Sequence, residues 1–194
     1  MMDRLKRTQE VACQQVLVED NSVFSIQWSL FPDSLAAGMT PELLAQRYLE
    51  YIRSCTWSII RPTLCENGLE FRLLNSRLSL ITFLPSAREE GALLFRICGG
   101  LLVQPRQCHR GELRFDVTAV AEGTRVSLQL SDYCPLLLGS STPTLFRHWL
   151  YRLTQAAIHQ LVTVRFLVLL YRDLAGLTSP VKVVNVRVRE GRPI

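Results

Sequence analysis

Four polar side chains, Arg147, Tyr151, Gln155 and His159, recur every four residues between Pro143 and Gly176. On a helix, positions four apart stack on one face, so this spacing predicts a continuous ladder of donors and acceptors. Turned toward a cavity, Tyr151, Gln155 and His159 can orient a ligand that carries a hydroxyl, carbonyl or carboxylate, and Tyr151 or His159 can move a proton. Turned toward water, the same residues are the solvated stripe of an amphipathic helix, and that plainer reading carries more weight.

Other chemistries find less. Cys98, Cys108 and His109 are the near neighbours of metal-ligating type, but adjacent strand residues point to opposite faces, so Cys108 and His109 are badly placed to share an ion. Neither a metal nor a cofactor is expected. His148 and His159 are available bases, yet no G-x-S-x-G elbow supplies a nucleophile, and Gly99-Gly100 is followed neither by a helix start nor by Lys-Ser/Thr, as a phosphate loop requires. The six cysteines form no C-x-x-C pair, and the opening MMDRLKRTQE lacks an apolar core. They are therefore expected to be reduced, mostly buried thiols in a cytoplasmic chain.

The elements that must position these groups follow from periodicity. Residues 11–19 and 22–31 are rich in β-branched and aromatic residues around the turn pair Asp20-Asn21, which predicts a hairpin. Thr40-Pro41-Glu42 then opens a helix that runs to about Arg53, with Leu44, Tyr48 and Ile52 at helical spacing. From residue 56 to 133 the period becomes two, with turns at Asn67-Gly68, Asn75-Ser76, Glu90-Gly91, Arg110-Gly111 and Glu122-Gly123, which predicts an antiparallel meander. Gly99-Gly100 removes two side chains from one strand and predicts a bend that curls the sheet.

After Thr142-Pro143 no Pro or Gly intervenes before Gly176, so a helix of about 30 residues, roughly 45 Å long, is expected. Leu145, Trp149, Leu153, Ala157, Val164, Leu167 and Val168 give it a face for the sheet. The segment VKVVNVRVR alternates again and is expected to be a strand or an ordered tail. Its Val184, Val186 and Val188 match the helix's second apolar side, built by Ile158, Val162, Phe166 and Leu169. No repeat or linker divides the 194 residues, so residues 1–194 are read as a single domain.

Eight basic against two acidic residues lie in 143–194, whereas 1–142 is nearly balanced. A charged helix face and edge strand explain this asymmetry better than nucleic acid, because no aromatic platform accompanies the arginines. Contact with anionic lipid at a membrane surface is the other reading. The apolar run 161–171 is too short to span a bilayer and contains Arg165.

The order strand, helix, meander, long C-terminal helix over residues 11–174 resembles the helix-grip fold of the START-like (SRPBCC) superfamily, which includes lipid-transfer domains and polyketide cyclases or aromatases. RICGGLLV and FRHWLYRLTQAAIHQLVTVRFL look like segments of bacterial members of unassigned function. The resemblance implies an α+β fold in which a curved antiparallel sheet grips the long C-terminal helix around a cavity for apolar ligands. Residues 177–194 extend beyond that core. On this reading Trp57, Phe71, Phe95 and Phe115 are expected to wall the cavity, with Tyr151, Gln155 and His159 as its polar contacts. The expected activity is binding of a lipid or polyketide-like molecule, by a monomer or homodimer. A cyclase or aromatase using Tyr151 or His159 is the alternative, and an anionic lipid-surface or protein-interaction module a third.

Overall fold

The computed structural model describes residues 8–105, 109–136, 157–176 and 180–193. Asp20 and Asn21 make the first turn: Asn21 takes a φ of 63°, and the Ser22 N–H donates to the Asp20 carboxylate at 3.0 Å. The hairpin joins β1 (Gln9–Leu17) to β2 (Val23–Phe31). A single turn, α1 (Asp33–Ala36), precedes α2 (Pro41–Cys55) and has no counterpart in the sequence pattern. At the start of α2 the Leu43 N–H donates to Thr40 Oγ1 at 3.2 Å, with Pro41 in the first helical position. Leu44, Tyr48 and Ile52 of α2 are buried.

The meander follows as β3 (Ile60–Cys65), β4 (Gly68–Leu73), β5 (Ser79–Phe83), a three-residue β6 (Ala87–Glu89), β7 (Ala92–Gly99), β8 (Glu112–Val120) and β9 (Gly123–Tyr133). Its last strand pairs with β2, so the sheet runs β10-β1-β2-β9-β8-β7-β5-β4-β3, with β6 beside β7 and β11 beside β1. The bend predicted at the glycines lies at the end of β7. Gly100 has a φ of 119° there, and a Cβ on it would stand 2.4 Å from the Leu80 carbonyl oxygen. The register with β5 also shifts at Thr82–Phe83. The result is a curved, unclosed sheet with a C-terminal helix over it, an α+β fold of the helix-grip kind.

That helix is described as α3 (Ala157–Ala175), which packs on β1, β2 and α2. The earlier part of the expected helix, including Tyr151 and Gln155, lies outside the described residues. Among its described side chains Thr163, Phe166, Leu167 and Leu170 are buried, while Val164 and Val168 are half-buried.

The tail does not cover α3 as expected. β10 (Val181–Asn185) instead pairs in parallel with Gln9–Cys13 of β1, and β11 (Arg192–Pro193) pairs antiparallel with Val16–Leu17. Between them the Gln14 amide grips the tail backbone, donating to the Arg189 carbonyl at 2.5 Å and accepting from the Val188 and Arg189 N–H groups at 2.6 and 2.9 Å. The Arg189 guanidinium lies over the Phe24 ring and bonds Asp132 at 3.0 Å. The cover over Phe166 comes from α2, whose Tyr48 and Tyr51 rings stand 5.2 and 5.6 Å from it. An unpaired strand edge outcompetes a helix face for this segment because its N–H and C=O groups each need a partner.

Candidate functional site

Three of the four aromatic residues expected to wall a cavity belong to one packed row. Phe71, Phe83, Phe95 and Phe115 follow one another at centroid distances of 5.3, 6.3 and 6.0 Å, and Tyr48 continues the row at 5.5 Å from Phe115. Phe83 and Phe115 are fully enclosed, and the Tyr48 hydroxyl is pushed up to about 12 by burial. The Tyr48 ring packs edge-on against Phe166 of α3 at 5.2 Å.

Trp57 is a correction. Its setting, Thr56-Trp57-Ser58-Ile59, reads as a buried strand, but Trp57 is 89% exposed. α2 continues to Cys55, and Trp57 and Ser58 adopt φ values of 51° and 62° in a tight turn ahead of β3. The side chains of Tyr151, Gln155 and His159 lie outside the described residues, although the His159 backbone is in α3.

The open space next to the aromatic row is a cleft of about 620 Å³ between α2 and the β3, β4 and β7 strands. Leu93 and Phe95 of β7 form its floor, Ala45 and Leu49 of α2 one wall, and Pro62 and Leu64 of β3 the other. Pro62 suits β3 because β3 is the edge of the sheet, where a missing N–H costs no ladder bond. Gly68 lets the β3–β4 turn close on the neighbouring strand: a Cβ there would stand 2.0 Å from the Phe83 carbonyl oxygen. Glu42, Glu50, Arg53 and Glu66 rim the cleft. Hydrogen bonds from its own N–H and from Thr40 hold the Glu42 carboxyl below the usual range, helped by Arg88 at 2.9 Å.

The inner face of β1 and β2 carries a polar stripe that the sequence reading missed. The fully buried Gln27 donates to Ser25 Oγ at 2.8 Å and to Cys13 Sγ at 3.6 Å, and Gln160 of α3 donates to the same sulfur at 3.2 Å. Gln9 reaches Ser29 Oγ and the Leu167 carbonyl, each at 3.3 Å. Burial pushes the Cys13 thiol up despite the two amide donors. The signal was present: Ser25, Gln27 and Ser29 occupy the period-two positions that continue to the buried Phe31.

Among the described residues no three metal-ligating side chains gather. His109 is exposed, the half-buried Cys98 bonds the Thr82 carbonyl at 3.4 Å, and Cys108 lies outside the described residues. No described helix is long and apolar enough to cross a membrane.

No protein-family model matches the chain, and neither does any curated protein. Solved structures match it at low similarity. The solution structure of CalU16 from Micromonospora echinospora is 10% identical with a TM-score of 0.39, over 89% of this chain and 78% of that one. The di-domain ARO/CYC StfQ from the steffimycin biosynthetic pathway is 10% identical with a TM-score of 0.42, over 79% of this chain and 52% of that one. A crystal structure of CalU16 gives 13% and 0.33, over 89% and 99%. Scores this low assign no activity, so the site's chemistry rests on its own geometry.

Proposed function

We propose that this protein binds an apolar small molecule in the cleft between α2 and the β3, β4 and β7 strands. The observation that carries this reading is the cleft itself: about 620 Å³ of space floored by Leu93 and Phe95 and walled by Leu49, Pro62 and Leu64. Ligand pockets commonly enclose roughly 300–1,000 Å³ with apolar walls and a few polar groups. Three carboxylates and one guanidinium at the rim favour a neutral or cationic ligand over a fatty-acid anion.

A neutral apolar fluorescent probe should bind the full chain saturably at one site. Leu49→Trp, which fills the cleft from a half-buried wall position, should weaken binding about tenfold or more while leaving the fold intact. Leu64→Glu should weaken it less, by placing a charge at the mouth. Saturable binding that ignores both substitutions would place the ligand elsewhere, and no saturable binding would end the proposal. The cyclase alternative rests on Tyr151 or His159, whose side chains lie outside the described residues, and so draws no comparable support from this cleft.

A further inference from the structure

One end of the sheet presents large apolar side chains to solvent from three neighbouring loops. Trp57 and Ile59 lie between α2 and β3, Leu74 and Leu78 between β4 and β5, and Leu101 between β7 and β8; all five are exposed. Isolated exposed leucines are ordinary, but these loops are tied side by side. The Leu74 N–H donates to the Ile59 carbonyl at 2.7 Å, the Leu73 N–H to Leu78 at 2.9 Å, and the Leu101 N–H to Ser79 at 3.0 Å.

The presentation of Trp57 is rigid. Its N–H donates to the Ser54 carbonyl at 3.1 Å, the Ser58 N–H to Arg53 at 2.7 Å and the Ile59 N–H to Thr56 at 2.9 Å. Thr56 Oγ1 bridges the turn, donating to Ile52 and accepting from the Ile60 N–H. Trp57, Ser58 and Leu74 all lie at positive φ, a conformation that β-branched and bulky residues seldom adopt, so the backbone holds bulky apolar groups outward against local preference.

Charge selects the occupant. Arg53, Arg61 and Arg77 surround this tip, and among the described residues none of the three has a carboxylate partner. Arg61 bonds neutral groups, the Ser58 carbonyl and the Asn75 side chain. Segments 51–65 and 71–88, which build the tip, contain no Asp or Glu. A second copy laid face to face would set these arginines against themselves. A bilayer with anionic headgroups fits both features, since Trp partitions to the interface and leucines reach the acyl boundary beneath it.

We infer that this tip is a docking surface for anionic lipid membranes, with Trp57, Ile59, Leu74 and Leu78 entering the interface and Arg53, Arg61 and Arg77 meeting the headgroups. The inference shares Arg53 with the rim of the α2–β7 cleft but needs no ligand in that cleft, and it makes no use of the basic C-terminal segment.

The test is co-sedimentation of the full chain with vesicles of phosphatidylcholine alone and of phosphatidylcholine with phosphatidylserine. Binding is expected to the mixed vesicles, to fall with added salt and to be much weaker on the neutral ones. Trp57→Asn with Leu74→Asn should reduce it about tenfold or more, because the apolar area that enters the interface is lost. Asn tolerates positive φ, so melting temperature and apolar-probe binding should hold. Arg77→Gln should cost about fivefold, the loss expected for one basic residue near an anionic surface. The inference is overturned if the chain ignores mixed vesicles, if neutral vesicles bind as well, or if the double substitution leaves binding unchanged. It is equally overturned if the tip instead drives a dimer that the double substitution dissolves while vesicles go unbound.

Discussion

Beneath α3, the strands β1 and β2 turn Gln9, Cys13, Ser25, Gln27 and Ser29 inward, whereas beneath α2 the strands β5, β7 and β8 turn in Phe83, Phe95 and Phe115. Both halves obey the same strand alternation. They differ in what burial demands: an aromatic ring needs contact, while a buried amide needs a partner for each donor and acceptor. The aromatic half meets its demand fully. The polar half does not, since the carbonyl oxygens of Gln9 and Gln27 are buried without a hydrogen-bond partner. Both halves feed one apolar core, since Val11, Phe31, Phe166 and Leu167 are buried on the α3 side as well, but the inward polar stripe makes the α3 half the less stabilising of the two and leaves it dependent on polar contacts and on the tail at its outer edge.

That contrast can be broken by substitution. Phe115→Ala, at the junction of the Tyr48 and Phe95 rings, should cost about 3–5 kcal/mol in a denaturant titration. Gln14→Ala should cost about 1–3 kcal/mol, because it strands two backbone N–H groups and a carbonyl of the tail. It should also raise hydrogen exchange at Val188 and Arg189 well before the aromatic half responds. Gln27→Leu, at a fully buried position, should change stability by less than about 1 kcal/mol, since it removes an unsatisfied oxygen together with its amide bonds. A loss as large as that of Phe115→Ala would invert the assignment of stability to the two halves.

The smallest effect lies in the first turn. Burial alone would raise the Asp20 carboxyl, but hydrogen bonds from Arg110 and Ser22 outweigh it and hold the group at about 2. Its unfolded value is about 3.9, so the ionised form favours the folded chain. The contribution is present above about pH 4 and disappears as pH falls toward 2. Both partners are 42% exposed, so it amounts to less than about 1 kcal/mol. Asp20→Asn should lower the melting temperature slightly above about pH 4 and converge with the unsubstituted chain as pH falls toward 2, so that its acid limb is flatter by that amount.

What the sequence made legible was local. Thr40-Pro41 marked α2, Asp20-Asn21 marked the first hairpin, and the period of two from residue 56 to 133 marked the meander, whose first strand begins at Ile60. What it hid depended on partners distant in the chain. The parallel pairing of Val181–Asn185 with Gln9–Cys13 joins segments more than 160 residues apart, and the valines of the tail read equally well as a cover for α3. Trp57 reads as a strand residue until the end of α2 fixes its φ. The period of two put Gln27 on the face of Phe31, but it named no partner for a buried amide until the pairing of β1 with β2 brought Cys13 beside it. Phe95 was expected at a cavity and does line the cleft, but the rest of the cleft was hidden for the same reason: Leu49, Leu64 and Leu93 come from three elements, and their apolar character alone predicts core.

The central claim, that the ligand space lies beside α2 and not beneath α3, is tested most directly by photolabelling. A neutral apolar diazirine probe, cross-linked to the full chain and located by peptide mass spectrometry, should mark residues 45–53, 62–66 and 93–95. Excess unlabelled ligand should suppress those marks. Suppressible labelling confined to β1, β2 and α3, around Cys13, Gln27 and Gln160, would contradict the account and place the binding site on the polar half of the sheet.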